Sequence, residues 1–183
     1  MRLSRAARRS VCVVAVGMMV VPAGAAALAG VRDELTAAKV RKTAPDFTLA
    51  DERGAKVQLS EYKGRVVLLD FWATWCHGCK TEIPWYIEFE NRYKDRGLAV
   101  IGVSMDADGW KSVKPFVAQA KMNYPVVIGN DGLAGHYGVT NMPVTLLIDR
   151  NGKIADSHTG VVDKAAWEQE IQELLSEGQP TVQ

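Results

Sequence analysis

The stretch Asp70-Phe-Trp-Ala-Thr-Trp-Cys-His-Gly-Cys-Lys80 determines how this chain folds, because it joins a buried strand to a helix through two cysteines. The residues around its start, Val66–Trp72, are apolar on both faces except for Asp70, which is typical of a central strand covered by helices on each side. From residue 79 to 93 apolar residues recur at helical spacing. The pair Cys76-x-x-Cys79 therefore lies where a buried strand gives way to a helix.

Strands and helices alternate along the rest of the chain. A Gly-bearing turn at 51–54 predicts one hairpin, and Asn151-Gly152 predicts another. This pattern favours an α/β fold, a three-layer sandwich around a mixed central sheet. The predicted order is strands 47–49 and 57–59, strand Val66–Trp72, helix 79–93, strand Leu98–Ser104, helix 110–121, strand 124–128, helix 132–137, strands Val144–Ile148 and Ile154–Thr159, and a last helix with Trp167, Ile171, Leu174 and Leu175 on one face.

The composition is that of an ordinary globular domain. Of the 183 residues, 48% are hydrophobic and 23% charged, which argues against a disordered or polytopic membrane protein. The 22 basic and 21 acidic residues give a net charge of +1, too balanced for a protein held on nucleic acid by phosphate electrostatics. Three cysteines are too few for a disulfide-stapled scaffold.

The N-terminus has the order of a secretory signal. Four arginines between residues 2 and 9 precede an apolar run at 11–21 and a small-residue stretch at 22–30. We predict a signal peptide at 1–29, a lead-in segment at 30–43, the folded domain at 44–177 and a frayed tail at 178–183. A retained membrane anchor is the alternative, since no charged residue lies between Arg9 and Arg32. Either form exports the domain to a periplasmic or other extracytoplasmic location.

The two cysteines of the domain predict thiol-disulfide chemistry. Cys12 falls in the predicted signal peptide, so the exported part holds only Cys76 and Cys79, in a compartment where disulfides persist. The N-terminus of the helix supplies free N–H donors and the positive end of its dipole to Cys76, and a charged His77 adds to the stabilisation of its thiolate. We predict that Cys76 is the nucleophile and Cys79 the resolving thiol. A structural zinc site is the alternative, but the chain has no second cysteine pair.

Two carboxylates are candidates for handling the proton of Cys79. Strand alternation places Asp70 on the opposite face from Leu69 and Phe71. A buried carboxyl group has a raised pKa and can accept a proton, so we favour this role for Asp70 over that of a solvent-facing residue at a strand end. Glu82 is the second candidate, with a solvated helix face as an equally good interpretation.

Three separated motifs resemble motifs of thioredoxin, and they occur in the same order along the chain. The stretch 70–80 is similar to its active-site strand and helix, 137–145 to the loop that bears its cis-proline, and Gly160 to a glycine of its final hairpin. The resemblance implies a thioredoxin-like sandwich with a cis bond at Met142-Pro143. Such a bond exposes the preceding backbone to an extended substrate segment, so we expect Trp75, Met142 and Pro143 to bind substrate.

The chain is longer than thioredoxin between Cys76 and Pro143, by about a helix and a strand. This helix-strand insertion, the segments 44–49 and 59–64, and Glu82 resemble the exported TlpA/ResA class of membrane-associated thiol-disulfide oxidoreductases. Asp70 departs from that class, in which asparagine is common at this position.

The resemblance to this class implies a reductant that receives electrons from a membrane thiol carrier. Its clients are implied to be proteins with cysteine pairs, such as the haem-site cysteines of apocytochrome c or the cysteines of copper centres. We expect no cofactor beyond the disulfide of Cys76 and Cys79, no metal, no nucleic-acid partner and a monomer.

Two functions from other classes compete with this one. A copper or haem chaperone of the same fold would use the thiols as soft ligands, but such copper carriers resemble C-x-x-x-C with a distant histidine. A thiol peroxidase is suggested by Ala44-Pro-Asp-Phe, which resembles the start of peroxiredoxins. The P-x-x-x-T-x-x-C motif of that class fails here, because Leu69 and Ala73 stand where it needs Pro and Thr.

The residues between the cysteines predict the redox poise. His77-Gly78 replaces thioredoxin's Gly-Pro, and a histidine stabilises the reduced thiolate form. We expect a potential between about −270 mV for thioredoxin and about −120 mV for DsbA, shifted downward by His77→Pro. Equilibration with glutathione measures it, and a wild-type value below that of thioredoxin would show that His77 does not set the poise.

Overall fold

The structure, a computed structural model, describes residues 35–177. The predicted signal peptide at 1–29 and the predicted tail at 178–183 lie outside the described residues. Among the residues described, no helix is both long and apolar enough to cross a membrane.

A five-stranded mixed sheet and a separate hairpin account for all the described strands. The sheet order is β5-β4-β3-β6-β7, with β3, β4 and β5 parallel and β6 and β7 antiparallel to their neighbours. The fully buried β3 is central, as its apolar sequence predicts. The strands are β1 (Thr48–Ala50), β2 (Lys56–Gln58), β3 (Val66–Trp72), β4 (Leu98–Ser104), β5 (Val126–Ile128), β6 (Val144–Ile148) and β7 (Ile154–Thr159).

Helices and the hairpin cover the two faces of this sheet, which confirms the predicted three-layer α/β sandwich. One face packs against α1 (His77–Tyr93), α2 (Trp110–Ala120) and α4 (Lys164–Ser176). The other face packs against the β1–β2 hairpin and α3 (Asp131–His136). Strand β3 supplies both cores, because its side chains point alternately to the two faces.

Two element boundaries differ from the sequence prediction by two residues, and the other predicted bounds agree within one residue. Helix α1 begins at His77 rather than at residue 79, because the side chain of Cys76 caps it by accepting the backbone N–H of Cys79. Strand β5 begins at Val126 rather than at 124. The residue before the predicted strand, Asn123, contacts α1: its side-chain amide donates to the carbonyl of Ile87 and to Asn91.

The segment before the hairpin is hydrogen-bonded to the β6–β7 turn and to the first residues of β7. The N–H of Ala44 donates to the carbonyl of Gly152, and that of Thr36 to the carbonyl of Ala155. The buried Arg41 bonds Asp149 at 3.1 Å and makes two hydrogen bonds of 2.7 Å to Glu177 just beyond α4. This network joins the lead-in, the β6–β7 turn and the end of the last helix.

Removing Arg41 should therefore destabilise the domain. Arg41→Ala leaves the nearly buried Asp149 without its cation, and we expect the unfolding free energy to fall by ~3 kcal/mol. Lys56→Ala, which removes an exposed pair with Glu61, is the matched control and should cost less than ~1 kcal/mol. Urea unfolding compares the two, and equal losses would contradict a special role for Arg41.

Candidate active site

The two cysteines form a disulfide at the start of α1. Their Sγ atoms are 2.07 Å apart and their Cα atoms 5.4 Å apart. Cys79 is fully buried, whereas Cys76 keeps 6% of its surface exposed. The N–H of Cys79 points at Sγ of Cys76 at 3.2 Å, so a helix N-terminal donor already faces this sulfur. Of the two cysteines, only Cys76 keeps any solvent exposure.

A proline loop packs directly on the residues between the cysteines. The bond Met142-Pro143 is cis, as the resemblance to thioredoxin implies. A Cβ atom on Gly78 would lie 3.1 Å from Cδ of Pro143 and 2.9 Å from Cγ2 of Val161. Because real Cβ contacts are longer than these, a glycine at this position lets three distant parts of the chain meet at the disulfide.

The surface beside the disulfide is apolar and open. Trp75 is 62% exposed and Val161 46% exposed, both large values for apolar side chains. A groove of about 430 Å³ lies between the Trp75 side and the loop before Pro143. Its walls combine apolar and polar side chains: Trp75, Met105, Ala134, Val139, Met142, Asp131, Thr140 and Asn141.

Asp106 fixes the turn that carries Trp75 and Cys76. Its carboxylate accepts the N–H of Thr74 at 2.9 Å and the Thr74 hydroxyl at 2.5 Å. It also accepts the hydroxyl of Ser104 at 2.9 Å. The end of β4 thus holds the turn that ends β3, a contact that the sequence prediction missed.

Asp70 and Glu82 are both fully buried, on the sheet and on α1 respectively. Neither oxygen of Asp70 accepts a hydrogen bond from the described residues, while Oε1 of Glu82 accepts the N–H of Val162 at 2.8 Å. Burial, and then the nearby Glu82, raise the pKa of Asp70 well above its usual value. Burial also raises the pKa of Glu82, against the opposing effects of the Val162 N–H, Tyr86 and His158.

The structure answers one question that the sequence left open at these two positions. Glu82 does not lie on a solvated helix face, because the turn after β7 covers it. Asp70 faces α1, as strand alternation predicts, and Leu69 and Phe71 face the other core. Which of the two carboxylates accepts a proton stays a prediction.

A hydrogen bond between Tyr86 and Thr145 completes this buried polar layer. The Tyr86 hydroxyl lies 2.9 Å from Oγ1 of Thr145, and Thr145 pairs with Asp70 across β3 and β6. The sequence analysis missed both residues as members of the site. The sequence did carry a signal for both residues, because Tyr86 is one helical turn from the candidate Glu82 and Thr145 directly follows the proline loop.

Within residues 35–177, no group of three or more His, Cys, Asp or Glu side chains is arranged to hold a metal ion. His77 is exposed on the first turn of α1. A copper or haem chaperone stays an untested alternative, to be checked by metal titration of the reduced domain.

Comparisons with known proteins agree with this site. The profile of the AhpC/TSA family matches residues 40–157, and the chain belongs to that family. Thiol-disulfide oxidoreductase ResA of Geobacillus kaustophilus is 36% identical over 142 residues, which cover 77% of this chain and 81% of that protein. Resemblance to the thioredoxin-fold oxidoreductases is thereby confirmed, and the chain is a thiol-disulfide oxidoreductase of this type.

Solved structures give the same result. A Chlorobium tepidum protein assigned as thiol:disulfide interchange protein DsbE has a TM-score of 0.71 and 40% identity, covering 74% of this chain and 97% of that one. The exposed lipoprotein thioredoxin Etrx1 of Streptococcus pneumoniae has a TM-score of 0.63 and 31% identity, covering 70% of this chain and 99% of that one. Both matches support the thioredoxin-like fold class.

Burial of Asp70 gives a testable pH dependence of stability. Because its pKa is higher folded than unfolded, the unfolded chain loses this proton first as the pH rises. The unfolding free energy of the wild type should therefore fall from about pH 4 upward, through the folded pKa. We expect Asp70→Asn to remove much of this fall and to be ~1 kcal/mol more stable than wild type at pH 7.5.

Urea unfolding between pH 3.5 and 7.5 measures this effect. Asp131→Asn, on the exposed first turn of α3, is the matched control and should leave the pH dependence unchanged. A less stable Asp70→Asn protein at pH 7.5, with the wild-type pH dependence, would contradict a neutral buried acid at this position.

Proposed function

We propose that the chain is an exported reductant that acts on disulfides of specific extracytoplasmic client proteins. The clients implied by the class are apocytochrome c and proteins with copper-site cysteines. The observation that carries the proposal is the unequal burial of the disulfide: Cys79 is fully buried, whereas Cys76 keeps 6% of its surface exposed and directly follows Trp75, which lines the open groove. This asymmetry suits a site that admits one large disulfide partner at a time.

The reaction follows from this asymmetry. The Cys76 thiolate attacks a client disulfide, a bond forms between the two sulfurs, and one client thiolate leaves. Cys79 then gives up its proton and attacks Sγ of Cys76, so that the second client sulfur leaves as a thiolate. The dithiol loses two electrons and the client disulfide gains them. The N–H that points at Sγ of Cys76 lowers the cost of the attacking Cys76 thiolate.

The groove and the proline loop suit a protein client better than a small thiol. An extended segment that pairs with the backbone at Met142 would place its disulfide next to Cys76, because Pro143 lies against Gly78. The exposed rings and methyl groups of Trp75 and Val161 then bury apolar client surface on two sides. The residues assigned to client binding are thus Trp75, Met142 and Pro143.

Asp70 and Glu82 receive the proton of Cys79 as a pair in this proposal. The pair has one N–H donor, from Val162, and it points at Glu82. A general base that works in resolution contributes about 10² to 10⁴ in rate. Loss of the pair should therefore slow resolution far more than it slows the first attack.

Export and electron supply complete the proposal. The N-terminal signal pattern supports a periplasmic or membrane-anchored protein, and the similar pneumococcal protein is an exposed lipoprotein. A membrane thiol carrier would return two electrons to the disulfide after each turnover. The redox-active disulfide is the cofactor, and the working unit is a monomer.

Trapping distinguishes the two cysteines. We expect Cys79→Ser to accumulate mixed disulfides with client peptides, because the nucleophile remains and the resolving thiol is gone, whereas Cys76→Ser should accumulate none. In the reduced protein, iodoacetamide at pH 6 should modify Cys76 at least ~10-fold faster than Cys79. Mass spectrometry reads both results, and trapping by Cys76→Ser instead would reverse the assignment.

A further inference from the structure

We propose that His158 is the outlet through which the proton of Cys79 leaves the buried carboxylates for solvent. This inference rests on the proposed function, because it concerns the resolution step of the same site. It begins from a row of polar residues that crosses three adjacent strands. Asp70 on β3 pairs with Thr145 on β6, and Thr145 pairs with His158 on β7.

The row runs from the core to the surface. Asp70 and Thr145 are fully buried, and His158 is half-buried on the edge strand. All three side chains face α1 and α4, because paired residues of neighbouring strands share a face. The ring of His158 meets the Trp167 ring of α4 edge-on, with centroids 6.2 Å apart. His158 is therefore the titratable group of this row that water can reach.

Helix α1 packs over this row of residues and contacts it through Tyr86. The Tyr86 hydroxyl bonds Thr145 at 2.9 Å, and Glu82 lies one turn earlier on the same helix. Burial raises the pKa of the Glu82 carboxyl group, and the charge of His158 is the smallest of the effects that oppose this rise. The second oxygen of Glu82 accepts no hydrogen bond from the described residues and is free to take a proton.

Other charged or titratable groups surround this path and are part of its pH response. Tyr124 lies just before β5, and burial raises the pKa of its hydroxyl, with Asp70 adding to the rise. Asp156 lies two residues before His158 on the same face of β7. Helix α4 adds the buried Glu170 one turn from Trp167. Of these groups, only His158 is both half-exposed and cationic when protonated.

The resolution step moves one proton and one electron pair. As Cys79 attacks Sγ of Cys76 in the mixed disulfide, the S–H proton passes to the carboxylate pair, and the client sulfur leaves with the electron pair of the broken bond. Glu82 passes the proton to the imidazole of His158, which releases a proton to water. The carboxylate pair is then ready for the next resolution step, which follows once the membrane thiol carrier has returned two electrons to the disulfide.

The test separates resolution from formation of the mixed disulfide. Reduced protein is mixed with a disulfide-bonded peptide, and the formation and release of the mixed disulfide with Cys76 are followed by rapid acid quench between pH 5.5 and 8. We expect His158→Gln to release the peptide ~10-fold more slowly and to recover most of the rate when imidazole is added to the buffer. His136→Gln is the matched control, since that histidine is exposed at the end of α3, and it should match wild type with no response to imidazole.

The outcomes separate this inference from the proposed function. A His158→Gln rate within about twofold of wild type, with the same pH profile, overturns the outlet while leaving the cysteine chemistry intact. A slow rate that imidazole does not restore also overturns it, because the residue would then act through its structural contacts, such as that with Trp167, and not as a proton carrier. Urea unfolding of both variants confirms that they fold. Failure of the wild type to form the mixed disulfide would instead reject the proposed function.

Discussion

The burial of the Asp70 carboxyl group constrains the whole site. It lies at the centre of the sheet without a hydrogen-bond donor among the described residues, and Glu82 is buried in the same layer. Burial raises the pKa of both carboxyl groups, and Glu82 raises that of Asp70 further. The N–H of Val162 lowers the cost of a negative charge on Glu82, whereas Asp70 has no such donor among the described residues. The turn after β7 therefore favours ionisation of Glu82 over that of Asp70.

The sheet order explains why these groups meet. Placing β3 between β4 and β6 gives Asp70 the most protected position, and α1 begins directly beyond the end of that strand. The proline loop leads into β6, and Val161 and Val162 follow β7, so both come to the same end of the sheet as Cys76. Gly78 permits their close approach. Three segments far apart in sequence thus shape one small surface around two sulfurs.

Much of this arrangement could be predicted from the sequence, and the rest could not for identifiable reasons. Strands such as Val66–Trp72 and Leu98–Ser104 are continuous apolar runs, so their bounds match the structure. The burial of Glu82 was not predictable from helix periodicity, because its partner Val162 is 80 residues away. The start of α1 depended on a sulfur acting as cap, and standard capping patterns do not include cysteine.

Residues 36–44 of the lead-in and the two cysteines lie at opposite ends of the sheet. Strand register places Val144 and Thr159 beside Phe71, near the disulfide, and places Ile148 and Ile154 beside Val67 at the other end. Residues 36–44 bond to the chain between Gly152 and Ala155, which is that other end. Arg41 holds them there through Asp149 and Glu177. The groove beside Trp75 lies at the opposite end of the sheet, with the disulfide. The Arg41 network therefore holds residues 36–44 at the end of the sheet away from the sulfurs, so it can support the fold without touching the surface that a client would contact.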